Sequence, residues 1–347
     1  MKHFDSNKIT EKYIISPDGR TVAYDDNGDR ASNRIVVFYS GTLSVGVADL
    51  SSKYLTERGI HYIAPTMPGY GETSEPLSGV SFLRTVASDL TAILQDLHPN
   101  TKDLELYICG GSFGTIIAQM IYGAEADIFP AADQIKGMLL LAAFPPAKCS
   151  RDPVKANFNW MKYMTWGNWI MVGPPSRIWP LGALTTSAFS SLIASKVRTK
   201  SDSEMFIKQA IFDIMDIQEK ERYNTWRENQ GLSENYLVES MASMNRRSVA
   251  KSLWALKNGG DIIHGNWYEN GAMLEDKLNV FQKRYVLVVA GESDTATPMK
   301  WNEYTAKFYP NSKLKRLPGS HIASLFHMEQ IWKDFMEFDS FHDELEK

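Results

Sequence analysis

The chain has 347 residues, of which 44% are hydrophobic and 22% are charged, a balance typical of globular proteins. The formal net charge is −4 and the basic residues are scattered, so the sequence predicts no nucleic-acid partner. No stretch reaches the roughly 18 consecutive apolar residues that a membrane span needs, so none is predicted.

Strand-like and helix-like segments alternate in the first third of the chain. A turn signal, Pro17-Asp18-Gly19, separates two short strands at the start. The apolar run 35–39 is typical of a strand that is buried on both faces. In chain order, the patterns predict strands at 13–16, 21–24, 35–39, 61–64, 104–109 and 135–144, and helices at 47–58, 81–97 and 114–123.

The alternation resumes near residue 280, where the patterns predict strands at 285–290 and 313–317 and helices at 299–308 and 322–338. Such alternation predicts an α/β fold with a mostly parallel central sheet flanked by helices, and the first two strands add an antiparallel edge. Between about residues 145 and 273 the alternation stops, and the apolar residues recur at helical spacing. We therefore predict a core domain of residues 1–145 and 274–347 and a helical cap, or lid, of residues 146–273.

The segment 110–114 has the pattern G-x-S-x-G, with Ser112 at its centre. It follows a predicted strand and opens a predicted helix, which is the context that a nucleophile elbow requires. A sharp turn there would present the hydroxyl at the sheet edge, with the helix N-terminus behind it. Ser112 is therefore the candidate nucleophile.

A neutral serine is a weak nucleophile and needs a base that a third group orients. Asp294 follows the strand at 285–290, and His321 follows the strand at 313–317. Both therefore belong to the same sheet edge as Ser112, in the order serine, acid, histidine. The competing candidates are His327 and His264 for the base and Asp152 for the acid.

Acyl chemistry also needs donors for a developing oxyanion. One is expected to be the backbone N–H of Phe113, directly after the candidate nucleophile. The second is expected from the loop after the third strand, and we choose Thr42. The alternative is that Gly41 merely turns the chain there.

These motifs occur in the order found in the α/β-hydrolase superfamily, which the chain resembles over about residues 10–145 and 275–340. They are 18–20, 40–42, 67–74, 110–114, 291–298 and 319–321. The elbow is similar to that of proline iminopeptidases. The chain departs from the family in having Ser40 where His is usual and Thr66 where Asp is frequent. Serine at position 112 argues against epoxide hydrolase and dehalogenase chemistry, which use aspartate.

The resemblance and the triad predict a serine hydrolase that acts on an ester, lactone or thioester of a hydrophobic small molecule through an acyl-enzyme. No metal or organic cofactor is expected. The same triad would also serve carbon–carbon cleavage, peptide or amide cleavage, or acyl transfer. A third hypothesis is a non-catalytic ligand-binding protein on a hydrolase scaffold.

The first part of the predicted cap is rich in tryptophan and methionine. Three interpretations stay open: the interior of the cap or its contact with the sheet domain, the lining of a substrate pocket, or a membrane-surface patch. For the pocket, the candidate substrate-binding side chains are Trp160, Met164 and Trp169.

The two cysteines, Cys109 and Cys149, are too few for a disulfide framework and are expected to be inert apolar residues. The polar N-terminal segment has no signal-peptide core. The sequence therefore predicts a cytoplasmic protein.

Overall fold

An eight-stranded, mostly parallel sheet organises the fold. The computed structural model describes residues 2–5, 11–49, 52–100, 103–146, 148–164, 181–269 and 272–338. The spatial order is β1-β2-β4-β3-β5-β6-β7-β8, and only the β1–β2 and β2–β4 pairs are antiparallel. The strands are β1 (Lys12–Ile15), β2 (Thr21–Asn27), β3 (Arg34–Tyr39), β4 (His61–Pro65), β5 (Glu105–Gly111), β6 (Ile135–Leu141), β7 (Tyr285–Gly291) and β8 (Ser312–Leu317).

Helices flank the sheet and also fill much of the interval between β6 and β7. They are α1 (Lys53–Glu57), α2 (Phe82–Leu97), α3 (Gly114–Tyr122), α4 (Pro153–Ala156), α5 (Leu181–Lys196), α6 (Lys200–Ile207), α7 (Ile217–Asn229), α8 (Tyr236–Ser248), α9 (Trp254–His264), α10 (Leu278–Phe281), α11 (Met299–Phe308) and α12 (Met328–Met336). A π-helical turn, Lys208–Phe212, follows α6. The predicted alternation of strands and helices is confirmed, with small differences at the ends of most elements.

The centre of the sheet is fully buried, as its apolar runs predicted. Every residue of β7 and of α3 is buried. One core cluster joins the sheet to α2 and α3, and a second joins its other face to α1 and α12. Each fully buried aliphatic side chain contributes about 1.5–3 kcal/mol, so the central strands form a rigid platform for groups at their carboxyl ends.

The predicted helix at 47–58 is wrong over its first half, because α1 begins only at Lys53. The loop between β3 and α1 is held by polar side chains of β2 and of the residue after β4, which bind its backbone. The Gly46 N–H donates to Thr66 Oγ1 over 2.8 Å, and the Ala48 N–H donates to Asp25 Oδ2 over 2.8 Å. These contacts hold residues 46–48 in a loop that apolar periodicity alone did not reveal.

The predicted last helix at 322–338 divides into two parts. Residues Ala323–His327 form a 3₁₀ segment, and α12 follows at Met328. The Ala323 N–H donates to the Ser320 carbonyl over 3.1 Å, which is the shorter three-residue spacing. The interval 146–273 contains α4 to α9, and its separation as a cap domain stays a prediction.

Candidate active site

Ser112 lies in the tight turn between β5 and α3. Its φ is +51°, in the left-handed region that residues with a side chain seldom adopt. The Ser112 N–H donates to the Leu141 carbonyl over 2.8 Å, and the Ser112 carbonyl accepts from the Thr115 N–H over 3.0 Å. Such a conformation costs of order 1–3 kcal/mol and persists only where surrounding contacts hold it, as these do.

The last glycine of the motif is required by packing. A Cβ at Gly114 would lie 2.1 Å from the carbonyl oxygen of Tyr39 at the end of β3. Only glycine lets α3 begin so close to the neighbouring strand. The close approach keeps the N-terminus of α3 directly behind Ser112.

The three residues that the sequence singled out meet at the carboxyl edge of the sheet. Ser112 Oγ lies 3.0 Å from His321 Nε2. The other ring nitrogen, His321 Nδ1, lies 2.8 Å from Asp294 Oδ2. In this order the imidazole can accept the serine proton at Nε2 while Nδ1–H donates to the carboxylate.

Asp294 is buried and held by several donors. Its Oδ1 accepts from the N–H groups of Ala296 and Thr297 over 2.8 and 3.0 Å, and its Oδ2 accepts from the Thr297 hydroxyl over 2.6 Å. Burial raises the pKa of Asp294, but the hydrogen bond and charge of His321 and the Thr297 bonds outweigh it and lower the pKa below its usual 3.8. The carboxylate therefore stays charged beneath the imidazole.

The loop after β3 lies against the candidate nucleophile. A Cβ at Gly41 would be 3.1 Å from Ser112 Cβ, so the backbone passes directly beside the serine. The N–H groups of Thr42 and Phe113 donate to no residue in the described part of the chain. Their role as oxyanion donors stays a prediction, and both groups are free to fill it.

Side chains from the residue before β1 and from residues that follow β4 support the loop after β3. Thr66 Oγ1, which accepts from Gly46, donates to Glu11 Oε1 over 2.9 Å. Glu11 Oε2 in turn lies 3.8 Å from Arg247 on α8. The Tyr70 hydroxyl accepts from the N–H of Leu43, whose φ is +60°. The hydroxyl–carboxylate pair of Thr66 and Glu11 thus holds the loop through Gly46.

Sequence reasoning missed a buried carboxylate that holds the histidine loop. Glu219 on α7 is 1% exposed. Its Oε1 accepts from the Ser320 N–H over 2.8 Å and from the Ser320 hydroxyl over 2.9 Å. Because Ser320 precedes His321, this carboxylate anchors the loop that carries the candidate base. Glu219 stands in the mixed-charge run 219–222, a pattern typical of a solvated helix face, so no local signal marks it.

We expect Glu219→Ala to lower kcat by roughly 10- to 100-fold with little change in KM, since a small displacement of the base slows the chemistry. Glu219→Gln keeps an oxygen acceptor and should restore most of the rate. The measurement is steady-state kinetics on an ester substrate, beside thermal unfolding. Glu221→Ala, an exposed position on the same helix, is the control. Equal kcat for Glu219→Ala and the wild type would contradict a positioning role for Glu219.

A cavity of about 480 Å³ opens at Ser112 and His321. This volume suits a small organic molecule. Its lining comes from the sheet, the loop after β3, α12 and the helices between β6 and β7. The helices between β6 and β7 contribute Phe206, Ile207, Ala210, Ile211, Met241, Met244 and Asn245. The sequence signal for this lining was helical spacing. Ile207 and Ile211 are four residues apart, and Met241 and Met244 are three apart, so each pair shares one helix face.

The structure places two of the predicted substrate-binding residues away from this lining. Trp160 and Met164 pack with Trp301 of α11, and the Trp301 indole donates to the Trp160 carbonyl over 2.8 Å. These two side chains therefore lie where residues 146–273 contact the core domain. Trp169 lies outside the described residues.

The competing candidates for base and acid have other surroundings. His264 packs on Trp160, with ring centroids 5.3 Å apart. Asp152 caps α4 by accepting from the Val154 N–H over 2.8 Å. His327 lies in the 3₁₀ segment and is not among the residues that line the cavity. The structure thus brings only the preferred histidine and aspartate to Ser112.

Comparisons with solved structures identify the fold. A hydrolase from Pseudomonas aeruginosa aligns with a TM-score of 0.58 at 16% identity, covering 95% of this chain and 98% of its own. An esterase from Exiguobacterium antarcticum aligns with a TM-score of 0.56 at 16% identity over 95% and 99%. A bromoperoxidase from Bacillus anthracis aligns with a TM-score of 0.54 at 18% identity over 94% and 100%.

The chain therefore has the α/β-hydrolase fold, and the resemblance seen in the sequence is confirmed at the level of the fold. No family model matches the sequence, and a sequence search of curated proteins found no match. In the described part of the chain, no helix has the length and apolar character to cross a bilayer.

Proposed function

We propose that the protein is a serine hydrolase that cleaves an ester, lactone or thioester of a hydrophobic small molecule. The observation that carries the proposal is the hydrogen-bonded line from Ser112 through His321 to Asp294, which lies beside a mostly apolar cavity. The hydrolase and esterase among the structural neighbours agree with it.

In the first half of the proposed reaction, Ser112 Oγ attacks the substrate carbonyl carbon and His321 Nε2 takes its proton. Asp294 holds the imidazole with Nδ1–H towards the carboxylate and stabilises the imidazolium. The N–H groups of Thr42 and Phe113 would donate to the oxyanion, and each such donor typically supplies about 10²–10³ in kcat. The imidazolium then protonates the departing alcohol or thiol.

In the second half, water attacks the acyl-enzyme while His321 again accepts the proton. Ser112 leaves as the protonated alcohol and the acid is released. Every proton in this cycle passes through His321 Nε2, so the proposed mechanism requires neither metal nor organic cofactor.

We also propose that residues 146–273 form a cap over the site. In support of this, α6, the π-helical turn and α8 contribute side chains to the cavity, and the Gly71 N–H donates to the Ser248 carbonyl over 3.0 Å. A cap would exclude bulk water during acyl transfer and admit substrate when it moves.

Labelling with a fluorophosphonate probe tests the proposal. We expect one covalent adduct on Ser112, located by intact mass and peptide mapping, because the probe reports an activated serine. The adduct should be lost in Ser112→Ala and kept in Ser195→Ala, which changes an exposed serine on α5. A folded wild-type protein that forms no adduct would overturn the assignment and favour ligand binding without catalysis.

A further inference from the structure

The cavity at Ser112 has two chemically different sides. Three aromatic side chains line one side, namely Phe38 on β3, Tyr62 on β4 and Trp332 on α12, and we call them the aromatic wall. The helices between β6 and β7 line the other side mainly with aliphatic and methionine side chains, together with Phe206 and Asn245. The aromatic wall stands on the sheet and on α12, whereas the opposite side belongs to the insertion.

The aromatic wall is a pre-formed surface. Phe38 and Tyr62 lie in nearly parallel planes with centroids 6.1 Å apart, and Trp332 meets Tyr62 edge-on at 6.5 Å. Phe38 and Tyr62 belong to inner strands of the sheet, yet both remain partly exposed and line the cavity. Their backbones are fixed by the sheet, so the wall cannot collapse to fill the space.

The aromatic wall begins next to the candidate nucleophile. The Phe38 ring comes within 3.4 Å of the position that a Cβ on Gly111 would occupy, and Gly111 directly precedes Ser112. A ring that packs against Phe38 would therefore lie close to the carbonyl that Ser112 would attack.

Because α1 begins only at Lys53, the residues before it line the cavity beside the aromatic wall. Val47 and Ser52 belong to the segment predicted as helix, and both line the cavity instead. Glu329 of α12 accepts from the Ser52 hydroxyl over 2.8 Å and from the Tyr54 N–H over 2.9 Å. These bonds fix where α1 begins relative to α12 and so maintain the space beside Trp332.

The described lining of the cavity favours a neutral occupant. Among the described residues that line the cavity there is no Asp, Glu, Lys or Arg. A charged substituent would lose its hydration without gaining a partner, which is costly. The remaining polar groups are hydroxyls, one amide and His321, which suit a neutral ester.

We propose that the aromatic wall is the binding subsite for an aromatic ring of a neutral ester. The inference rests on the proposed function for turnover, while ring binding itself does not require it. Aromatic rings gain stacked and edge-to-face contacts that a saturated ring of similar size lacks, equivalent to about 2- to 10-fold in affinity. The subsite therefore distinguishes aryl from cycloalkyl groups as well as apolar from polar ones.

The test measures binding to full-length Ser112→Ala, which cannot turn the ligands over. The probes are two matched pairs: methyl 3-phenylpropanoate with methyl 3-cyclohexylpropanoate, and 2-phenylethyl propanoate with 2-cyclohexylethyl propanoate. We expect the aryl member of at least one pair to bind about 2- to 10-fold more tightly by titration calorimetry. The pair that shows the preference locates the ring in the acid or the alcohol part.

Variants assign the preference to the aromatic wall. Adding Phe38→Leu or Tyr62→Leu should bring the aryl-to-cyclohexyl ratio towards one, and either suffices if the other fails to fold. Met241→Leu, on the opposite side of the cavity, should keep the ratio. No aryl preference in either pair, or a preference that survives both leucine variants, would overturn the proposal. Aryl binding by a protein whose wild type turns over no ester would retain the subsite and refute the proposed hydrolase.

Discussion

Replacing Ser112 by alanine is expected to lower kcat for ester hydrolysis by roughly 10⁵- to 10⁶-fold, since the covalent route is lost while the rest of the site remains. The measurement is kcat on the best ester from a substrate screen, with enough enzyme to detect residual turnover. The fold should persist, because the turn is held by backbone bonds from Ser112 to Leu141 and Thr115.

The control for this loss is Ser195→Ala, which removes an exposed hydroxyl that donates only to the Leu192 carbonyl. Its kcat should equal that of the wild type. Circular dichroism and thermal unfolding should show the Ser112 variant to be folded. Ester hydrolysis at an undiminished rate in folded Ser112→Ala protein would refute the nucleophile assignment.

Asp294→Asn is expected to lower kcat by roughly 10⁴-fold with a much smaller effect on KM. An amide can present its N–H₂ group to His321 Nδ1, which favours the tautomer with a proton on Nε2. That tautomer cannot accept the Ser112 proton, and the imidazolium loses its counter-charge. Steady-state kinetics with the same ester measures the effect.

Asp152→Asn is the matched control, because Asp152 was the competing candidate for the acid. Its carboxylate caps α4, and removing the charge should cost at most about 1 kcal/mol of stability without slowing turnover. If kcat fell in the Asp152 variant and stayed normal in the Asp294 variant, the assignment of the acid would be reversed.

Features with strong local signals were predictable from the sequence alone. The continuous apolar runs predicted the buried strands because a strand covered on both faces must be apolar along its length. Ser112 was identifiable because a tight strand-to-helix turn needs glycine at fixed neighbouring positions, and Gly114 could carry no side chain. Asp294 and His321 were then chosen because they follow parallel strands that end at the same edge as Ser112, in the order serine, acid, histidine.

Other features depended on contacts between distant segments. The start of α1 was misplaced because contacts from elsewhere in the fold decide it. Thr66 and Asp25 bind the loop before α1, and Glu329 binds Ser52 and the Tyr54 N–H at its first turn. The cap tryptophans drew attention by composition, yet Trp160 packs on Trp301 instead of lining the cavity. Composition shows that a side chain is apolar, but it does not show which apolar surface that side chain packs against.

The sequence by itself therefore determined the class of fold and the residues of the proposed triad, since periodicity and turn chemistry are local properties of the chain. Only the tertiary structure decided how the triad is supported and what fits beside it. Glu219 reaches Ser320 across 101 positions, and the aromatic wall joins two strands to the last described helix. Such contacts form when distant segments pack together, so no window of sequence encodes them.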